Sequence, residues 1–392
     1  MNQVIIKNKA KKKFNQRYPL IHQEDLVDKV ASIPSSWVKF VSEDKHFLGY
    51  GYLGVQNKGY GWMISFDENK PVNKEVMTDL FKQAFNSRKS FFRSQDTTAF
   101  RIFNGEGDSF GGLTIDWYDT YIVISWYNET IYGLKESIKE VILECLPEVV
   151  GVYEKVRFKK DDLPESEFTW GKEAPEPLIV IENNVSYATY LNEGLMTGIF
   201  LDQKEVRGAL SEGLADGKNL LNMFSYTGAF SVAATFGGSV ETTSVDLAKR
   251  SLEKTQEQFL VNGMDLDSQR IIVMDVFNYF KYAKKKELTY DVIVLDPPSF
   301  ARNKKKTFSV AKDYSKLTEE AVELIEPNGL LIASTNAANV SFDRFVQMVE
   351  KGITNGNRRG KQVNTYRLPS DFKVSKHFPE GNYLKVLIYE IV

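Results

Sequence analysis

The 392-residue sequence has one cysteine, Cys145, and three histidines, His22, His46 and His377, scattered far apart. A lone cysteine excludes an internal disulfide. With so few soft ligands, neither a multi-cysteine metal centre nor a zinc site is expected. No run of about 18 apolar residues occurs, so no membrane-spanning helix is expected. The opening stretch, MNQVIIKNKAKKKF, has no apolar core ahead of a small-residue cleavage site, which argues against a secretory leader. A cytoplasmic location is the simplest expectation. There is no GxGxxG phosphate loop. The formal net charge is only −2, so the chain as a whole is not a polycation.

At 42% hydrophobic residues the chain has enough apolar material for sizeable cores, and its length suggests two or three domains. Positive charge is clustered. The first twenty residues carry Lys7, Lys9, Lys11, Lys12, Lys13 and Arg17 and no acid. Arg302, Lys304, Lys305 and Lys306 form a second cluster, and Arg358, Arg359 and Lys361 a third. Such clusters either form a phosphate-binding face or are solvated surface.

Residues 1–70 read as short strands with glycine breaks, a small all-β unit. The segment KPVNKEVMTDLFKQAFNSRKSFF turns helical, with Val76, Leu80, Phe81 and Phe85 on one face. TYIVISWY is a strand. YGLKESIKEVILECL is an amphipathic helix whose apolar face holds Leu134, Ile138, Val141, Ile142 and Cys145, so Cys145 reads as an inert core thiol. From about residue 186 strands and helices alternate: NLLNMF, FSVAATF, ETTSVD, AKRSLEKTQEQFLVNG, QRIIVMDV, YDVIVLD, KLTEEAVELI and LLIAST. TYRLPSDF and NYLKVLIYEIV read as a closing hairpin. The fold class expected is α/β with a doubly wound, mostly parallel sheet, in which ligands sit at the carboxyl ends of the strands. The expected domains are residues 1–70, a central α+β domain over 71–185, and the α/β domain over 186–392.

Four strand ends carry residues suited to chemistry. In NMFSYTGAF, residues 222–230, a strand enters a turn containing Gly228, and glycine lets the backbone approach a ligand closely. Asp246 ends the next strand, 18 residues after Gly228, where a carboxylate suits the two hydroxyls of a ribose or caps the following helix. Asp275 ends the third strand and suits an adenine amino group or, again, a helix cap. DPPSF, residues 296–300, follows the fourth. Two prolines fix a rigid turn, Asp296 can accept hydrogen bonds from a flipped-out base, and Phe300 can stack on it.

These stretches in this order resemble class I S-adenosylmethionine-dependent RNA methyltransferases. They are most similar to the family that methylates 23S ribosomal RNA and carries an N-terminal PUA domain. The resemblance spans nearly the whole chain. RIFNGEGDSFGGLTID (101–116) looks like that family's central-domain motif. TGIFLDQKEVR (197–207) looks like its strand and turn into the catalytic domain, and FPEGNYLK (378–385) its C-terminal hairpin. The resemblance implies a PUA β-barrel over residues 1–70 that grips RNA, and S-adenosylmethionine as cofactor with S-adenosylhomocysteine as product. It implies a cofactor site made of Asn222, Phe224, Ser225, Tyr226, Thr227 and Gly228 around the methionine part, Asp246 with Leu247 and Ala248 at the ribose, and Asp275, Val276 and Phe277 at the adenine. Asp202, Gln203 and Arg207 would close over the methionine or help hold the target nucleotide. Asp296, Pro297, Pro298, Ser299 and Phe300 would face the target base, with Asp296 also near the cofactor. The implied partner is 23S ribosomal RNA; a homodimer is left open, and no metal or membrane is expected.

One departure bears on the reaction. The best-known relatives methylate carbon 5 of cytosine, which requires a thiolate to add first to carbon 6. Their cysteine lies just after the fifth strand. Here that stretch is LLIASTNAAN, and Ser334-Thr335-Asn336 contains no cysteine. The expectation is therefore methylation of a nitrogen, guanine N7 above all, with Thr335, Asn336 and Asn339 near the base. An exocyclic amine and a ribose oxygen remain open. The alternatives are a carbon-5 enzyme whose cysteine comes from elsewhere, an RNA-binding assembly factor that binds the cofactor without turnover, and an enzyme of another nucleotide such as NAD.

Overall fold

The computed structural model describes residues 2–28, 36–57, 59–300 and 308–392 in full, and the backbone of 301, 302 and 307. Lys304, Lys305, Lys306 and the Arg302 side chain, in the second basic cluster, lie outside the described residues. The chain forms two compact units. One comprises Met1–Leu178, Tyr190–Thr197 and Ser370–Gly381; the other comprises Ile179–Thr189, Gly198–Pro369 and Asn382–Val392. No helix among the described residues is long and apolar enough to cross a membrane.

The first unit holds two five-stranded sheets. β1 (Asn2–Ile6), α1 (Lys11–Asn15), β2 (Leu20–Ile21), β3 (Val38–Ser42), β4 (Phe47–Gln56) and β5 (Gly59–Ser65) come first, the strands in the order β1-β3-β4-β5-β2. β4 and β5 can bulge against each other because Gly51 has no side chain: a Cβ there would lie 1.9 Å from Trp62 O. α2 (Lys74–Ser87) and α3 (Lys89–Phe92) follow. β6 (Ala99–Asn104), β7 (Leu113–Tyr118), β8 (Tyr121–Trp126), α4 (Glu129–Tyr132), α5 (Lys135–Cys145), β9 (Gly151–Val156) and β10 (Ser166–Gly171) complete the unit, its second sheet running β10-β9-β8-β7-β6.

α2 starts where Asn73 caps it, the side chain accepting from Val76 N at 2.9 Å. It buries Met77, Phe81, Ala84 and Phe85, whereas Val76 and Leu80 are only half-buried, so the apolar stripe is turned slightly from the one read in the sequence. Tyr52 and Trp62 of the first sheet, α2, and Phe100, Ile115 and Val152 of the second sheet share one core. Segments 1–70 and 71–185, expected as separate domains, therefore pack largely as one body. Cys145 packs half-buried against this core, its thiol 4.0 Å from Thr78 O. Burial pushes its pKa up, so the thiolate is disfavoured. The N-terminal basic run is only partly available to a ligand. Lys11 pairs with Asp44 at 2.8 Å, Lys13 with Asp25 at 2.7 Å, and Lys7 donates to Glu24 O at 3.1 Å.

The second unit begins with the hairpin β11 (Leu178–Glu182) and β12 (Val185–Thr189). The segment 197–207, expected as strand and turn, is instead a 3-10 turn over Leu201–Gln203 leading into α6 (Lys204–Ala209). Then come β13 (Asn219–Met223), α7 (Ala229–Phe236), β14 (Glu241–Asp246), α8 (Ser251–Leu260), β15 (Gln269–Val273), α9 (Val276–Lys285), β16 (Tyr290–Leu295), the ribbon β17 (Phe300–Arg302) and β18 (Thr307–Ser309), α10 (Val310–Val322), β19 (Ile325–Thr335), α11 (Phe342–Asn355), β20 (Gly360–Tyr366) and β21 (Lys385–Ile391). The main sheet runs β15-β14-β13-β16-β19-β21-β20. β15 to β19 are parallel, while β21 is antiparallel to both β19 and β20. This is the expected doubly wound sheet. Its central strands are buried on both faces, which explains their unbroken apolar runs. Leu221, Ile293, Leu295, Leu331 and Ala333 enter one core, while Leu220, Val292, Val294 and Ile332 enter the other. Each such Leu, Ile or Val stabilises the fold by roughly 1.5–3 kcal/mol.

β20 and β21 pair as a closing hairpin, but its first strand is Gly360–Tyr366 rather than the expected TYRLPSDF, and residues 370–381 of the connection belong to the first unit. Arg88 anchors them there. Its Nε and Nη2 donate to Asp371 O at 3.0 and 2.7 Å, and Nη1 and Nη2 form a two-pronged ion pair with Asp108 at 2.7 and 2.8 Å. Both side chains are 1% exposed. Removing one partner of a buried pair strands the other charge. Asp108→Ala is therefore expected to cost about 3–5 kcal/mol. This would be read as a lower urea midpoint for the phase that reports on the first unit; an unchanged midpoint would mean the pair contributes nothing to that unit.

Candidate functional site

The connection leaving β13 runs toward β14 on one side, and that leaving the adjacent β16 runs toward β19 on the other. In such a sheet the carboxyl ends of the two strands where the direction reverses are where a ligand crevice forms. The turn that follows β13 is unusual. Phe224, Tyr226 and Gly228 take positive φ values of 61°, 52° and 77°. Left-handed backbone costs a bulky residue roughly 1–2 kcal/mol, so the turn is held by bonds from several sides. Ser225 N donates to Val245 O at 3.0 Å, Gly228 N to Ser225 O at 2.7 Å, and Thr227 Oγ1 to Gly198 O at 2.7 Å. Gly228 is required twice over, by its φ and because a Cβ would lie 2.4 Å from Thr255 Cγ2. Beneath the turn, Asn222 is fully buried; its Nδ2 donates to Ser231 Oγ at 3.1 Å, while its Oδ1 has no partner.

Asp246 and Asp275 sit at the ends of the next two strands. Asp246 Oδ2 accepts from Tyr226 N at 2.9 Å and Oδ1 from Ala248 N at 2.8 Å. It ties the strained turn to the end of β14, and each oxygen keeps a second lone pair. Leu247, beside it, is 55% exposed, an unusual place for leucine. Asp275 caps α9, Oδ1 accepting from Phe277 N at 3.1 Å and Asn278 N at 3.2 Å. The cap role weighed for it in the sequence is thus present. Val276 is buried and Phe277 half-buried. Phe308 lies 6.1 Å from both the Phe224 and Phe277 rings and so links the first strand end to the third.

At the end of β16, Asp296 is held by Gln203, whose Nε2 donates to Asp296 Oδ1 at 3.0 Å and lies 2.7 Å from Ser334 Oγ. Loss of solvation at the strand ends, with the Asp202 charge nearby, pushes the Asp296 carboxyl up to about 6, against the opposing Ser334 hydroxyl, Arg207 charge and Gln203 amide. Gln203 is 3% exposed and its Oε1 has no partner. Pro297 is buried and Pro298 exposed. Ser299 Oγ donates to Asn336 Oδ1 at 2.6 Å, joining the DPPSF turn to the end of β19. The buried Tyr314 hydroxyl lies 2.9 Å from Ser334 O and 3.2 Å from Leu295 O, clipping the two strand ends together. Phe300 is 63% exposed, a bare ring at the rim.

The other residues expected around the cofactor divide. Asp202 accepts from the Tyr383 hydroxyl at 2.9 Å. Arg207 is buried and committed elsewhere: Nε and Nη2 bind Glu182 at 2.7 and 2.8 Å, and Nη2 also donates to Phe200 O at 2.7 Å. These bonds fix the backbone of the 200–203 turn rather than reach into the site. Sequence reasoning missed Gln203's partner Ser334, the clip Tyr314, Phe308 and Lys385. Lys385 is 3% exposed and bonded to Ala337 O at 3.1 Å and Tyr383 O at 2.6 Å; burial lowers its pKa to about 8. The motif FPEGNYLK contains both Tyr383 and Lys385, so their signal was in hand; Tyr314 and Phe308 lie in segments without one. Among the described residues no cluster could hold a metal ion.

Comparison with known proteins agrees with this geometry. The model of the S-adenosylmethionine-dependent methyltransferase family matches residues 100–357, and that of the PUA-like domain matches residues 4–66. A Bacillus subtilis protein named "Putative ribosomal RNA large subunit methyltransferase YwbD" is 44% identical, covering 100% of both chains. Ribosomal RNA large subunit methyltransferase I of Aeromonas salmonicida is 29% identical over 96% of each chain. The crystal structure of SMU.776 complexed with SAH superposes with a TM-score of 0.93 at 44% identity over 100% of both chains. The doubly wound sheet accords with these matches, and the chain belongs to the S-adenosylmethionine-dependent methyltransferase family, with a PUA-like domain at its N-terminal end.

Proposed function

We propose that the chain methylates a ring nitrogen of a 23S ribosomal RNA base, with guanine N7 the favoured atom. The observation that carries this reading is the end of β19. Carbon-5 chemistry needs a nucleophile there, and the side chains present are a serine and a threonine already engaged. Ser334 Oγ is bonded to Gln203, and the fully buried Thr335 Oγ1 accepts from Ala337 N at 3.1 Å. The Ser334 hydroxyl also faces the Asp296 carboxyl, but a serine or threonine oxygen is a far poorer nucleophile than a thiolate, and Cys145 packs half-buried against the core of the first unit. The relatives named as ribosomal RNA large subunit methyltransferases support RNA as the substrate.

The residues present fit the cofactor. In this reading the turn 224–228 cradles its methionine end, the second lone pairs of Asp246 take the ribose hydroxyls, and the adenine lies between Leu247 and Phe277, near the Asp275 cap. The orphan Oε1 of the buried Gln203 is the kind of acceptor a bound polar group would satisfy. S-adenosylmethionine supplies an electrophilic methyl carbon on a sulfonium. Guanine N7 already carries a lone pair, so the protein need only orient the base and steady the charge that develops on it. Phe300 offers a stacking face, and the Asp296 carboxylate a counter-charge for the cationic product base. No proton leaves N7 in this transfer, so Asp296 acts as an electrostatic partner and not as a base.

Three outcomes test the reading. Asp246→Ala should weaken S-adenosylmethionine binding by roughly ten- to a hundredfold in calorimetry, the worth of charge-assisted hydrogen bonds; unchanged affinity removes Asp246 from the ribose. The Asp296 carboxyl is protonated below about pH 6, so kcat/KM for RNA should rise with pH through that value. Asp296→Asn should flatten this limb and lower the plateau by about a hundredfold. It should not lower the unfolding midpoint at pH 7, because the ionised carboxylate is the form that burial disfavours. A limb that survives in Asp296→Asn assigns the titration to another group. Labelled methyl transfer to 23S ribosomal RNA lacking the modification, followed by nucleoside identification, should yield 7-methylguanosine. A 5-methylcytosine product would overturn the reading.

A further inference from the structure

The first unit contains a groove of about 1010 Å³ that the methyl-transfer site does not use. One wall is the tip of the β4–β5 hairpin, where Val55 is 49% exposed. The other comprises Tyr127 after β8, α4 with Tyr132, the start of α5, and residues 157–160 after β9. Its volume is at the upper end for a small-molecule pocket. Of its polar lining, Asn57, Glu129, Glu136, Arg157 and Lys159 are exposed and come from separate segments, which suits an extended ligand better than a compact one.

Its lining combines rings and cations. Tyr132 and Phe158 pack edge to face with centroids 5.7 Å apart, and the Lys135 ammonium sits 4.7 Å over the Tyr132 ring. Tyr127 is half-buried beside them. Of the four basic side chains, Lys135 is tied to Glu154 at 3.0 Å and Lys160 to Glu129 at 2.8 Å. Arg157 is exposed and makes one bond, from Nη2 to Leu195 O at 2.7 Å. Lys159 is exposed and has no partner among the described residues. Two acids, Glu129 and Glu136, share the rim, so the groove carries a net positive charge. Aromatic faces beside uncommitted cations are what a single strand of nucleic acid needs: phosphates take the cations, and bases stack on the rings without regard to sequence. An acidic peptide would use the cations and leave the rings idle.

We propose that this groove docks a single-stranded segment of the RNA substrate, with Arg157 and Lys159 on phosphates and Tyr127 under a base. The proposal rests on the RNA methyltransferase reading and adds a second place where the RNA is held. It is separate from the N-terminal basic run, much of whose charge is already paired within the fold.

The test measures binding of the full-length protein to a labelled single-stranded oligouridylate of about a dozen nucleotides, by fluorescence anisotropy over a range of salt. The Arg157→Ala/Lys159→Ala double variant should bind more weakly, with a log–log salt slope shallower by about 1.4, two phosphate contacts at roughly 0.7 each for single strands. Tyr127→Ala should weaken binding about tenfold. Glu136→Gln should tighten it, which a merely structural effect of substitution would not do. Far-UV circular dichroism and the urea midpoint of the first unit should be unchanged in all of them, showing that its fold is kept. Unchanged affinity and slope in the double variant overturns the proposal, and so does displacement of the RNA by polyglutamate with Tyr127→Ala behaving as wild type. The two readings fail separately. RNA methylation by wild type with unaltered binding in the groove variants removes the groove alone. Groove-dependent RNA binding with no RNA methylated under any condition removes the substrate reading and keeps the groove.

Discussion

The parallel pairing of β13 with β14 on one side and β16 on the other is the constraint on which the site depends. The connection after β13 departs toward β14 and that after β16 toward β19, to opposite edges, so the turns after these two adjacent strands flank one opening. The same central position buries both faces of these strands, which fixes their register through alternate apolar residues entering two separate cores. A one-residue slip would exchange Leu220 with Leu221 and Val292 with Ile293 between those cores, and would also move Asp296 and Phe224 away from the strand ends. Packing and site geometry are thus the same requirement expressed at different ends of the strand.

On that scaffold the site is held by polar ties between strand ends. Asp246 links β14 to the strained turn after β13, Tyr314 clips β16 to β19, and Ser299 with Asn336 repeats the link one layer out. Gln203 spans from the 3-10 turn to Asp296 and Ser334, while Arg207 and Glu182 fix the backbone of that turn from behind. The left-handed residues Phe224 and Tyr226 are tolerated because neighbouring bonds leave them no cheaper alternative. Orientation of a methyl donor and a base to within ångströms requires such over-determination.

The sequence made the parallel sheet legible, because strands buried on both faces leave long apolar runs between helices of period 3.6. It also exposed residues whose chemistry is local. Gly228, Asp246, Asp275 and DPPSF all stand where a strand meets a turn, and the family resemblance they carry holds for the chain. What it left hidden was contact across distance. Arg207 belongs to a motif, yet its partner is Glu182 on a hairpin, and nothing in the spacing announces a buried ion pair. The motif 101–116 resembles the family's central-domain motif, but its spacing does not announce that Arg101 binds Asp116 or that Asp108 holds Arg88 and, through it, residues 370–381. The same long-range docking merges the first 70 residues with the segment after them, since Trp62 and Phe100 fill a core that neither segment closes alone.

Asp296 is a half-buried acid with a raised pKa. A carboxyl whose charged form is disfavoured by its surroundings subtracts from stability whenever it is ionised, so a neutral amide at the same position would serve the fold better. The surroundings only partly offset that cost: Gln203 and Ser334 favour the ion, while Asp202 opposes it. A fold that tolerates a charge at such a place gains something from it, and the gain must come where a positive charge arrives. The cofactor's sulfonium brings one, and in the proposed reading methylation at N7 would transfer it to the base. Carbon-5 chemistry would instead call for a thiolate and a proton acceptor at the end of β19, where this chain has a buried threonine bonded to its own backbone. The cost of desolvating Asp296 and the absence of a thiol at the end of β19 both favour the proposed transfer to a ring nitrogen, which moves a positive charge and no proton, over carbon-5 chemistry.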